Sequence, residues 1–151
     1  MNPKSDYLNF LQSNEKNIND KSSFIVAAFY KFFDLKNKAD FQASLKLIFN
    51  NTSVKGTILL ANEGINGTVA GVPREIGKVV NKLWNLDILY DLQPKYSFAH
   101  QNPFFRMKIR LKKEIVTLGV KNVSPNKDVG QYIKPEKWNR LLDDELSLIH
   151  I

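Results

Sequence analysis

Cysteine is absent from the 151 residues, and histidine occurs only at positions 100 and 150. The first absence excludes a disulfide framework, a thiolate metal site and a cysteine nucleophile. The second excludes a three-histidine zinc centre. No apolar run approaches the ~20 residues that cross a bilayer. The N-terminus, MNPKSDYLNFLQSNEKNINDKSS, is polar and asparagine-rich and lacks the unbroken apolar stretch of a signal peptide. A cytoplasmic protein without membrane attachment is expected. Acidic side chains are outnumbered 15 to 22, giving a net charge of +7. That balance suits a polyanion partner without demanding one. A chain of this length buries roughly 68–70% of its unfolded surface, enough for one real core without covalent staples.

Residues 1–23 read as a polar N-terminal arm or one loosely docked helix. FIVAAFYKFF, Phe24 to Phe33, is rich in aromatic and β-branched residues and free of glycine and proline. It reads as a buried strand. Phe41, Leu45, Ile48 and Phe49 make one apolar stripe on a helix over about 39–51. VKGTILLA, Val54 to Ala61, and GTVAG, Gly67 to Gly71, read as strands joined by a glycine- and asparagine-bearing connection. Pro73 opens a second helix, whose Ile76, Val79, Val80, Leu83 and Trp84 fall on one face. KYSFAH, Lys95 to His100, and FRMKIRLKK, Phe105 to Lys113, are both extended. This order predicts an α+β, ferredoxin-like βαββαβ sandwich over 24–122 with one extra strand. From 123 to 151 the chain reads as a linker with a short helix, Pro135 to Leu142.

The last strand carries the strongest chemical signal. Alternation sends Phe105, Met107, Ile109 and Leu111 to the core and sets Arg106, Lys108, Arg110 and Lys112 in a row, followed by Lys113. Successive members of such a row stand about 6.5–7 Å apart. That spacing suits phosphates along a nucleic-acid strand, where arginine grips bidentately and lysine acts as a point charge. A solvated edge strand protected by cations explains the same pattern. A second feature is the connection Asn62-Glu63-Gly64-Ile65-Asn66-Gly67. It reads first as a hairpin loop whose residues serve backbone geometry; its amides and side chains could also meet a phosphate, a base or an adjoining domain. It lacks the context of a nucleotide-binding loop. Phe24, Phe29, Tyr30, Phe32 and Phe33 read as core, base stacking being the alternative, and no RNP1 pattern is present. His100 reads as a surface turn residue, since no nucleophile or carboxylate pair accompanies it.

Four stretches then share their order with one family: VAAFYKF (Val26–Phe32), KGTILLANEGINGTVAG (Lys55–Gly71), PFFRMKIRLKKEIVTLG (Pro103–Gly119), and the run from Pro125-Asn126 through Gly130-Gln131-Tyr132 to Pro135 and Trp138-Asn139. Over about Phe24 to Asp144 the chain closely resembles the N-terminal part of the bacterial, rhodanese-containing tRNA uridine hydroxylases. The resemblance implies an acylphosphatase-like, ferredoxin-type domain followed by a rhodanese domain. It also implies oxygen-dependent hydroxylation of the wobble uridine at carbon 5, with the implicated cysteine in the rhodanese domain. Molecular oxygen is then the family's co-reactant, and no cofactor, metal or catalytic residue is expected in this chain. The expected partners are tRNA, contacted through Arg106, Lys108, Arg110, Lys112 and Lys113, and a rhodanese domain. Asn62, Glu63, Gly64, Asn66 and Gly67 would face that domain or the RNA. After Asp144 the sequence departs from the family pattern and reads ELSLIHI. The expectation is a truncated gene model, inactive alone. The acylphosphatase loop GxVQGVxFR is missing between Phe24 and Lys38, which argues against acyl phosphate hydrolysis. A stand-alone RNA-binding or protein-docking module is the alternative.

Overall fold

The computed structural model describes residues 3–13, 24–115 and 133–143. Helix α1 spans Pro3–Ser13, and strand β1, Phe24–Phe32, leads to α2, Lys38–Phe49. Strands β2, Lys55–Ala61, and β3, Gly64–Gly71, form a hairpin, and α3, Pro73–Trp84, leads to β4, Lys95–Ala99. Strand β5, Met107–Leu111, closes the sheet, and a 3₁₀ turn at Pro135–Lys137 runs into the short α4, Trp138–Leu142. The rest of the expected linker from 123 to 151 lies outside the described residues.

The sheet order is β4-β1-β3-β2-β5. The first four strands pair antiparallel, and β5 adds parallel to β2. This is the α+β ferredoxin-like sandwich with its extra strand at the β2 edge.

Alternation along the strands decides which face the helices cover. Ile25, Ala27 and Phe29 of β1, Ile58 and Leu60 of β2, and Ile65 and Val69 of β3 are buried. Against them lie Leu45 and Phe49 of α2 and Ile76, Val79, Val80 and Leu83 of α3. Helix α2 starts at Asn37, whose Oδ1 accepts from the Asp40 amide at 3.3 Å and satisfies one of the open N-terminal donors. Helix α3 has Pro73 in its first turn, where a missing N–H costs nothing. Trp84 at its end donates from Nε1 to the Leu92 carbonyl at 2.8 Å, so a buried indole is satisfied.

The N-terminal segment supplies a helix that enters this core. Tyr7 is buried, and its hydroxyl donates to the Pro73 carbonyl at 2.7 Å. Phe10 stacks on Phe98 of β4 with centroids 4.9 Å apart.

Two sequence expectations change here. The β1 run was expected to be buried throughout, yet only one face is covered: Ala28 and Tyr30 are exposed. Strand β3 begins at Gly64, three residues before the expected Gly67, so the β2–β3 connection is the two-residue turn Asn62-Glu63. Gly64 holds φ of 144°, a region that side chains disfavour, whereas Gly67 and Asn66 have no positive φ. A Cβ at position 64 would fall on the Lys31 carbonyl oxygen across the ladder. Gly64→Ala is therefore expected to cost about 2–3 kcal/mol, read as a lowered urea midpoint with unchanged m-value.

Candidate nucleic-acid interface

Helices α1, α2 and α3 cover one face of the sheet; the basic side chains of β4 and β5 stand on the other. In the β5 register Lys108 stands beside Thr57 and Arg110 beside Leu59, while Ile109 pairs with the buried Ile58. Lys108 and Arg110 therefore share the open face, and Met107 and Ile109 pack partly buried against the core. Strand β5 lies at the sheet edge, where Gln42 of α2 donates from Nε2 to the Ile109 carbonyl at 2.8 Å. That bond occupies one edge acceptor and ties the basic strand to the helix layer.

The expected row is shorter than the alternation suggested. The strand begins at Met107, so Arg106 precedes it and Lys112 follows it. Backbone bonds at both junctions hold them close to β2: the Gly56 amide donates to the Arg106 carbonyl at 3.3 Å, and the Lys112 amide to the Leu60 carbonyl at 2.7 Å. Arg106, Arg110, Lys112 and Lys113 are exposed, and Lys108 is half-buried. Phe105 was expected in the core but is 99% exposed, and Leu111 is exposed as well. Both sit at ends where the helix layer no longer reaches. Among the described residues the two ion pairs are Lys31–Asp91 and Lys78–Glu75, neither of them on β5.

The Asn62–Gly67 segment works as a clamp. Its Asn62 and Glu63 carbonyls accept from the Leu35 and Phe33 amides at 2.7 and 2.9 Å, fixing the chain as it leaves β1. The Glu63 carboxylate accepts from the Ile115 amide at 2.7 Å, and Asn66 Nδ2 donates to the Ile115 carbonyl at 3.4 Å. Ile115 is thereby buried over the hairpin end, and the path of the chain after β5 is set. Gly67 is small for packing reasons: a Cβ there would come within 2.9 Å of the Phe29 ring. Among these residues the two that were expected to offer amides to a phosphate, Gly64 and Gly67, are both buried strand positions.

Sequence reasoning passed over Lys95, Thr57 and Thr68 of the open face and read Tyr30 as core, with base stacking as the alternative. Lys95 of β4 pairs in register with Ala28, and Tyr30 with Asn66, so Lys95, Tyr30, Thr57, Thr68 and Lys108 share one surface. Tyr30 is 59% exposed and meets Phe32 edge-on at 6.1 Å. A concavity of about 340 Å³ is lined by Thr57, Leu59, Asn66, Gly67, Thr68 and Phe104. The signal was available in the odd–even split of β1, but its apolar composition concealed which half faces water. His100 is exposed at a bend. Among the described residues no group of histidine, aspartate and glutamate could hold a metal ion. None of their helices is long and apolar enough to cross a membrane.

With the fold and this face in place, the comparison with known proteins is decisive for the domain. The UPF0176 acylphosphatase-like domain matches residues 24–115. The chain belongs to the UPF0176 family. It is 48% identical over 123 residues to the tRNA uridine(34) hydroxylase of Acaryochloris marina, covering 82% of this chain and 40% of that protein. The protein of the same name from Bartonella quintana is 47% identical over 129 residues, covering 85% of this chain and 42% of the relative. That from Sinorhizobium medicae is 48% identical over 126 residues, with 83% and 40% covered. The UPF0176 chain thus spans about two fifths of the length of these curated relatives. The matched segment starts at β1, and α1 lies in front of it in the chain.

Proposed function

We propose that this UPF0176 domain is the tRNA-holding and scaffolding part of a cytoplasmic wobble-uridine 5-hydroxylase. The observation that carries the reading is the identity of 44–48% to proteins named tRNA uridine(34) hydroxylase, joined to an open sheet face edged by Lys95, Lys108 and Arg110. In this reading β5 meets the phosphate backbone, since exposed cations on a rigid strand fix register without reading sequence. The chemistry belongs elsewhere. A rhodanese domain would supply the cysteine, and molecular oxygen would supply the hydroxyl oxygen. The Glu63 and Asn66 clamp then fixes Ile115, the last described residue of this domain, against the β2–β3 hairpin.

The test is a chimera in which residues 24–115 of this chain replace the matching segment of the Acaryochloris marina relative. Expressed in a bacterium deleted for its own hydroxylase, the chimera should restore 5-hydroxyuridine to tRNA, read by mass spectrometry of digested nucleosides. A chimera that folds and accumulates normally but leaves the wobble uridine unmodified would overturn the reading.

A further inference from the structure

We propose that the open sheet face is a base-stacking platform for unpaired RNA nucleotides, with Tyr30 as the stacking ring and Phe32 as its brace. This rests on the RNA reading above and adds to it a second contact of a different kind, away from β5.

The argument begins with burial. A phenol ring left 59% exposed two residues before the end of a central strand forgoes the stabilisation that the covered face would give it. Its geometry is held: Phe32 meets it edge-on at 6.1 Å, and the β1–β3 ladder fixes Tyr30 opposite Asn66. Beside it on the open face lie Ala28, Asn66 and, on the diagonal, Thr68, with Leu59 and Thr57 one strand further on. A flat aromatic ring beside small side chains admits a planar base; the threonine hydroxyls offer hydrogen bonds to its edge. Tyr30 and Phe32 line a hollow of about 340 Å³ with Lys31, Asp91, Gln93 and Lys95. A separate one of the same volume lies over Thr57, Leu59 and Thr68, walled by Phe104; both fall at the small end of ligand sites.

Charge selects the occupant. The open-face positions of the five strands carry Lys55, Lys95, Lys108 and Arg110 and no carboxylate. Nearby Asp91 is paired with Lys31, and Glu63 is held by the Ile115 amide. An apolar centre between cationic edges is complementary to bases inside a phosphate backbone, whereas a protein surface would need matching acids. Tyr30 and Arg110 lie in one register row separated by β3 and β2, about 14 Å apart by strand spacing. The stacked base and the gripped phosphate would therefore belong to different nucleotides of one strand, which a loop presents and a duplex does not.

The experiment compares an RNA hairpin carrying 5-iodouridine in its loop with a blunt duplex of the same stem. Both are titrated against the full chain and its Tyr30→Ser, Tyr30→Phe and Lys108→Glu/Arg110→Glu variants. Irradiation should crosslink the loop uridine to Tyr30. Tyr30→Ser should weaken hairpin binding roughly tenfold and leave duplex binding unchanged, and Tyr30→Phe should retain both. Hairpin affinity unchanged in Tyr30→Ser, or an equal loss on both RNAs, overturns the platform. If only the β5 variant loses RNA, the platform falls and the tRNA reading stands; if the β5 variant also binds normally, the RNA reading falls with it. Should Tyr30→Ser bind RNA normally yet abolish modification by the chimera, the face is a protein interface and the platform is wrong.

Discussion

Replacing both Lys108 and Arg110 with glutamate is expected to weaken tRNA binding at least about 100-fold at low salt. Charge-assisted hydrogen bonds are worth about 1.5–3 kcal/mol each, and two are lost and turned repulsive. The salt dependence is the sharper readout. Each phosphate contact contributes about 0.7 on single strands and 0.9 on duplex to the slope of log K against log salt, so the slope should flatten by about 1.4–1.8. The two residues are chosen because the β2–β5 register puts both on the open face, beside Thr57 and Leu59. Neither carries the fold: the buried half of β5 is Met107 and Ile109, and Gln42 holds the strand through the Ile109 carbonyl. Stability should therefore move by no more than about 0.5 kcal/mol. Fluorescence anisotropy at a series of salt concentrations decides it. An unchanged slope would remove β5 from the RNA interface. Arg110→Lys separates charge from geometry: a several-fold loss with the slope intact marks a bidentate grip.

The helix stripes and the last strands were legible because their burial follows a single period. Ile76, Val79, Val80, Leu83 and Trp84 repeat at helical spacing and are all buried. Met107 and Ile109 alternate against Lys108 and Arg110 and face the core as alternation requires. What failed did so where local pattern and tertiary cover disagree. Phe105 continues the alternation of β5, but the strand begins two residues after it, so it is left exposed. Val26, Ala28, Tyr30 and Phe32 look like core by composition; only the one-sided helix layer shows that they face outward. Gly64 and Gly67 both resemble loop glycines. One has the positive φ that starts a strand after a two-residue turn, and the other is small because Phe29 lies over it. Exclusions drawn from missing residue types rest on composition alone, whereas the clamp at Ile115 depends on long-range contacts that no periodicity reveals.

Helix α1 shows the same limit most clearly, and the second large effect is expected there. Its sequence, PKSDYLNFLQS, has little amphipathic pattern, yet Tyr7 is 7% exposed and sits in the main core cluster. Specific contacts replace a stripe. The ring lies tilted against Tyr96 at 4.9 Å, the hydroxyl donates to the Pro73 carbonyl, and α3 makes room for the ring with Gly77. Tyr7→Ala should cost about 3–5 kcal/mol by the usual scale for buried aromatics, up to the free energy with which α1 docks. Tyr7→Phe, which loses only the hydroxyl bond, should cost about 1 kcal/mol. Alkali gives an independent reading. Burial pushes the Tyr7 phenol up to about 12, against a weaker downward pull from the Gly77 backbone. Burial, with Tyr7 and Asp6 nearby, also raises Tyr96. An unfolded tyrosine ionises near 10. The folded state therefore holds these protons to higher pH, its advantage is complete below about pH 10, and it is lost as pH rises through the folded value. Urea midpoints measured from pH 9 to 11.5 should fall for the native chain and fall less steeply for Tyr7→Phe. Parallel curves would show that the Tyr7 hydroxyl is solvated, and that α1 is held by its rings alone.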